Sequence, residues 1–212
     1  MANADVLRLV TNAQIRLPGA TSNTVQQELF MVADEFFKES NAWREDIEFN
    51  VPSNDPTGTV YEVTPSGNVL IDKLMWMRNS DGGGRIFGQM SIPGEITLQG
   101  QPSSPATYIA TVALTVTDPT QRDGYVSFPD WVLAKYRGVF LNGILGKMMS
   151  QPAKPYTNTQ LSVYYIKLFN SGKSAARVEA QRANVFRAQA WRFPSFAGGS
   201  QRKGGGGFFP PQ

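Results

Sequence analysis

Carboxylates that lie close together in the chain are the first candidates for chemistry. Glu45, Asp46 and Glu48 form such a group, and paired acids can serve hydrolysis or hold a divalent cation. Their alternation with Trp43, Ile47 and Phe49 instead puts Asp46 and Glu48 on the solvated face of one strand. Gly172-Lys173-Ser174 matches the end of a phosphate-binding loop, but the full pattern needs a glycine where Lys167 stands. Gly82-Gly83-Gly84-Arg85 offers backbone amides to an anion; its expected role is a flexible hairpin tip, with a contact loop as the other reading. Arg177, Arg182, Arg187 and Arg192 recur every five residues. That step is about 500° on a helix, so they spiral round it rather than line one stripe. The chain has no cysteine and no histidine. Disulfides, thiolate metal sites and cysteine nucleophiles are thereby excluded, and so are serine–histidine chemistry and the common zinc and non-haem iron sites. No catalytic residue, metal or cofactor is expected.

The 212 residues suffice for one domain, or for one domain carrying a smaller insertion. Charged residues make up 17% of the chain, against about 25% in an average globular protein, and a low-charge surface is readily covered by protein neighbours. The net charge of +3 conceals a split. Residues 1–130 hold 8 Lys/Arg and 16 Asp/Glu, a net of −8, whereas residues 131–212 hold 12 Lys/Arg and only Glu179 as an acid, a net of +11. An asymmetry of this size speaks about partners rather than fold. No apolar run approaches the ~18 residues of a membrane span. The start, Met1-Ala2-Asn3-Ala4-Asp5, lacks the basic patch and apolar stretch of a secretory signal. No membrane partner is expected, and synthesis in the cytoplasm is the default.

The elements that must position these residues begin with 5–16, whose Val6, Leu7, Leu9, Val10 and Ile15 suit a short helix or a strand equally. Residues 22–40 read as a helix, with Thr24 and Gln27 as a capping box and Val25, Leu29, Val32 and Phe36 at helical spacing. Asp34, Glu35 and Glu39 mark its expected wet side. From Trp43 to about Thr117 the period changes to two, in runs at 46–51, 59–63, 69–78, 85–91, 95–99 and 108–117 with turn residues between them. Residues 129–150 form a second long helix, with Pro129 at its start. Its Gly138, Gly143 and Gly146 each cost about 1 kcal/mol against alanine, which points to close approach of another backbone. Asn158 caps a helix reaching 190, with Leu161, Tyr164, Tyr165, Leu168 and Phe169 as apolar positions and a possible kink at Gly172. The tail from 191 sets aromatic residues and prolines among glycines. That composition does not fold alone, and ordering its four consecutive glycines is costly, so docking onto another chain is its expected role.

The resulting order has specific words attached. Leu17-Pro18-Gly19-Ala20 leads to Leu29-Phe30 and Asp34-Glu35-Phe36-Phe37, ending at Asn41-Ala42-Trp43-Arg44. Later come Phe128-Pro129-Asp130-Trp131, Gly143-Ile144-Leu145-Gly146-Lys147-Met148-Met149, and Gln151-Pro152-Ala153-Lys154-Pro155-Tyr156, with Arg177 and Arg182 in the last helix. Over about residues 17–195 this pattern resembles the head–tail adaptor (connector) proteins of tailed bacteriophages, in particular the podophage adaptors related to tail tubular protein A. The match lies in helix ends and aromatic positions rather than in a catalytic signature.

The resemblance implies a structural virion protein at the head–tail junction. It would form a homo-oligomeric ring, typically of twelve copies, beneath the portal protein. That ring would join the portal to the tail tube or nozzle protein and line a channel for DNA that it does not read. The expected fold is α+β: an N-terminal segment and first bundle helix at 1–43, an antiparallel β portion inserted at 44–124, two long bundle helices at 125–190 and a docking tail at 191–212. Phe36, Trp131, Tyr136, Gly143, Tyr165 and Phe169 are the expected bundle-packing residues. Arg187, Arg192, Phe193, Phe196, Arg202, Lys203, Phe208 and Phe209 are the expected portal-docking residues. The rival reading is a nucleic-acid-binding module that uses the basic C-terminal third.

Overall fold

A computed structural model describes residues 4–53, 58–67, 69–81, 84–100, 105–117 and 129–183. The chain is α+β. Two helices, α1 (Ala4–Arg16) and α2 (Ser22–Ser40), precede seven strands: β1 (Arg44–Val51), β2 (Val60–Glu62), β3 (Val69–Asn79), β4 (Arg85–Ile86), β5 (Gly88–Ile92), β6 (Glu95–Leu98) and β7 (Ala106–Val116). Two long helices follow, α3 (Asp130–Met149) and α4 (Thr159–Ala183). No helix among the described residues is long and apolar enough to cross a membrane.

The helices form one bundle around a single core. α1 buries Val6, Leu9, Val10 and Ala13, spaced three and four apart, which settles residues 5–16 as a helix. α3 packs against α1, α2 and α4, and α2 also packs against α1, α4 and β7. At the centre Phe36 meets Tyr136 and Phe140, each with ring centroids 5.0 Å apart, and Phe37 meets Phe36 edge-on at 5.4 Å. Such tilted and edge-to-face pairs suit the ring quadrupoles. Gly143 and Gly146 let the helices close up. A Cβ on Gly143 would stand 2.5 Å from Val32 Cγ1, and one on Gly146 would stand 3.0 Å from the Ile166 backbone nitrogen. Gly138 faces open space, so close approach explains two of the three glycines.

Several sequence expectations are corrected here. The N-cap of α2 is Thr21, whose side chain accepts a 3.3 Å hydrogen bond from Thr24 N–H; the Thr24–Gln27 capping box does not form. α4 runs unbroken through Gly172. Gly172 is there for packing, since a Cβ would lie 2.7 Å from Val139. Trp131 is not a bundle-packing residue: it is 48% exposed, because the first turn of α3 points it outward. Asp34 and Glu35 do not mark a wet side. Asp34 accepts from Thr115 of β7 at 2.8 Å, and Glu35 faces α3 and α4.

The β portion is two antiparallel sheets rather than one, with orders β1-β7-β3-β4 and β2-β6-β5. The run expected at 85–91 divides at Phe87 between them. Bulges in β3 at Asp72 and Met75 shift its register on β7, which bends and twists the strand. The two sheets share a second core containing Phe49, Ile71, Met77, Ile96, Tyr108 and Val112. Gly88 belongs to this contact, because a Cβ there would stand 2.2 Å from Met77 Cε. Trp43 packs against both cores and joins them. Its carbonyl accepts from Leu114 N–H at 3.0 Å, and its ring lies 5.3 Å from Phe37.

Candidate assembly surfaces

Three groups of side chains carry charge or apolar surface in unusual settings. The first joins three helices. Glu35 of α2 holds Lys147 of α3 at 2.7 Å and also pairs with Lys173 of α4, while Glu39 holds Lys173 at 3.0 Å. The Lys173 side chain is only 8% exposed, and its ammonium lies 4.8 Å from the Phe169 ring centroid. Burial alone would raise the Glu35 pKa, but hydrogen bonds from Lys147 and Lys173 outweigh it and hold this carboxyl below its ordinary value. Burial likewise works to lower the Lys173 pKa, and the bonds to Glu35 and Glu39 reverse it. Nearby Glu28 is pushed up, chiefly by burial, against the pull of Lys147. A lysine inside a three-helix junction is costly unless it is paired; here it fixes the register of α4 on α2.

A second cluster ties α3 to α4 further along. Lys135 meets Glu179 at 2.5 Å, and Tyr136 donates from its hydroxyl to the same carboxylate at 3.4 Å. The Lys135 hydrogen bond keeps Glu179 low. Since Glu179 is the sole acid in residues 131–212, its pairing with Lys135 leaves only positive charges on α4, those of Lys167, Arg177 and Arg182, without a partner among the described residues.

The third feature is the outer face of α4. Its buried line is Ser162, Phe169, Lys173 and Ala176, with Ser162 donating to the Gly146 carbonyl at 2.7 Å. The expected apolar positions Leu161, Tyr164 and Leu168 therefore point away from the bundle. With Val178 they are 38–56% exposed, and together with Ala175 they span about 100° of arc on the helix. Lys167 borders this stripe and Arg182 lies at its end; both are exposed.

Of the expected packing residues, Phe36, Tyr136 and Phe169 are buried in the bundle, Tyr165 packs against it half-buried, and Gly143 closes on Val32. Arg187, Arg192, Phe193, Phe196, Arg202, Lys203, Phe208 and Phe209 lie outside the described residues. The carboxylate group is divided among structural tasks. Glu45 accepts from Ser66 N–H at 3.0 Å, Asp46 pairs with Arg78 at 2.8 Å and accepts from Thr111, and Glu48 is exposed. Among the described residues no three His, Cys, Asp or Glu side chains come together as metal ligands. Lys173 in its ion cluster also disposes of the phosphate-loop reading. Clefts of about 300 Å³ at Val51–Pro52 and Pro105–Thr107, and of about 200 Å³ along 74–77 and 85–88, bring no acid and base together.

The Lys173 cluster and the exposed stripe were missed in the sequence for one reason: a serine and a lysine occupy the buried line of α4, so apolarity alone selects the wrong face. The chain matches no protein-family model and no curated protein.

Proposed function

We propose that this chain is a head–tail adaptor of a tailed bacteriophage, a structural part that forms a ring between the portal and the tail tube or nozzle and surrounds the exiting DNA. The observation that carries the reading is the outer face of α4, a 25-residue helix with an apolar stripe and positive charge that has no partner among the described residues. A helix hydrophobic on the side away from its own core is suited to a protein neighbour. The bundle with an inserted β portion also suits the resemblance drawn from residues 17–195. In this reading the basic bundle and tail meet the portal, and the acidic β portion meets the tail and the adjacent copy.

Deletion of residues 192–212 tests the docking role. The shortened protein should keep its circular dichroism spectrum and lose portal binding in a pull-down; portal binding unchanged by the deletion overturns the role. The exposed Lys167, Arg177 and Arg182 favour one second reading, a nucleic-acid-binding module. That reading requires duplex DNA to bind more tightly than portal, with affinity falling steeply as salt rises.

A further inference from the structure

The outer face of the three-stranded sheet is chemically opposite to the outer face of α4. The register places Glu62 directly across from Glu95, and Glu95 across from Ile92; the next row is Val60, Thr97 and Gln89. Tyr61, Ile96 and Met90 point the other way, into the β core. Val60 and Ile92 are about half exposed, at 49% and 55%. β2, β5 and β6 contain two acids and no lysine or arginine. Like charges directly opposite on neighbouring strands are unfavourable, and a cationic partner relieves that repulsion.

From this charge complementarity we infer that the α4 stripe of one copy docks on the β2-β6-β5 face of a second copy. Leu161, Tyr164 and Leu168 cover Val60 and Ile92, and Lys167 meets the Glu62–Glu95 pair. α4 has no substantial packing contact with any strand of its own chain. The two surfaces are different, so the contact is heterologous: each added copy leaves one helix face and one sheet face open, and the series closes into a ring or grows as a filament. The inference rests on the ring reading above and assigns the surfaces that would build it.

The test is sedimentation of the full-length protein over a concentration series. The wild type should self-associate. Lys167→Glu with Arg182→Glu on the helix face, or Glu62→Lys with Glu95→Lys on the sheet face, should each weaken association roughly 100-fold, because like charges are then juxtaposed. Mixing the two variants should restore assembly, since each supplies the face that the other now needs. Unchanged thermal melts separate a lost contact from a lost fold. A wild type that stays monomeric, association indifferent to both variants, or a mixture that does not reassemble overturns the inference. So does a helix-face variant that loses affinity for duplex DNA while its self-association is unchanged. Portal binding, measured separately, decides the adaptor reading whichever way sedimentation falls.

Discussion

In the helical region Phe36, Phe37 and Phe140 are wholly buried, and the acids nearest them are folded into ion clusters with lysines. In the β region the inward aromatic side chains Phe49 and Tyr108 keep 8% and 7% exposure, while Ile96 and Met77 of the same core are fully enclosed, and Glu48, Glu62 and Glu95 have no basic residue directly opposite them in the register. The bundle pairs the charges at its helix junctions within one chain. The β portion leaves acids for something outside it, while α4 turns a basic face, without a partner among the described residues, away from its own sheets. The difference teaches that the charge split in the sequence is not a split between folded layers. Internal pairs consume Asp34, Glu35 and Glu39 of α2, and a residual asymmetry lies between the outside of α4 and the outside of the small sheet.

The comparison can be broken most directly in the cores. Phe140→Ala should cost about 3–5 kcal/mol in chemical denaturation, the range for a buried phenylalanine. Phe49→Ala should cost less, because its site is less enclosed. Equal losses would mean that Phe49 is as closely enclosed as Phe140.

The next effect comes from the three-helix ion cluster. Lys173→Met should destabilise by about 2 kcal/mol, because it strips Glu35 and Glu39 of a buried partner. Glu35 is held below its ordinary 4.5, so its contribution is full above that pH and fades as pH falls through the lower folded value. Lys173 is held above 10.5, so its contribution is full below that pH and fades as pH rises through the higher folded value. The penalty of Lys173→Met, read from melts across pH, should be largest between those limits and shrink on both sides. Glu28 is shifted the other way and opposes the acid limb in both proteins, so it cancels from the difference. A penalty flat across pH would remove the ion cluster from the account.

The smallest effects compare two glycines in one helix. Gly143→Ala should cost about 1–3 kcal/mol from crowding against Val32 and Phe169. Gly138→Ala, in open space on the same helix, should stabilise by about 0.5–1 kcal/mol through helix propensity. Thermal melts that rank the two alike would show that α3 is not pressed against its neighbours at Gly143.

Much of the bundle was legible in the sequence because its buried positions repeat every three or four residues. Phe36, Phe140 and Phe169 are found from spacing alone. Trp131 misleads because an aromatic residue just after Pro129-Asp130 falls in the first helical turn, where its direction depends on how α3 meets the bundle. The outer face of α4 was hidden by polarity: Ser162 is buried on a carbonyl and Lys173 on two carboxylates, so neither reads as core. Strand positions could be read from alternation, but their division into two sheets could not. Pairings such as Glu62 with Glu95 and Arg44 with Ala113 join residues far apart in the chain, and only Phe87, where the run breaks, carries a local trace of the change.

The central claim is that this chain assembles as a ring on a portal. Native mass measurement of the full-length protein, alone and mixed with its cognate portal ring, tests it most directly. The adaptor account predicts a discrete complex with one fixed multiple of the chain, twelve by the resemblance, on each portal ring. A mixture that shows only free portal and free protein, or a spread of masses with no fixed multiple, contradicts it.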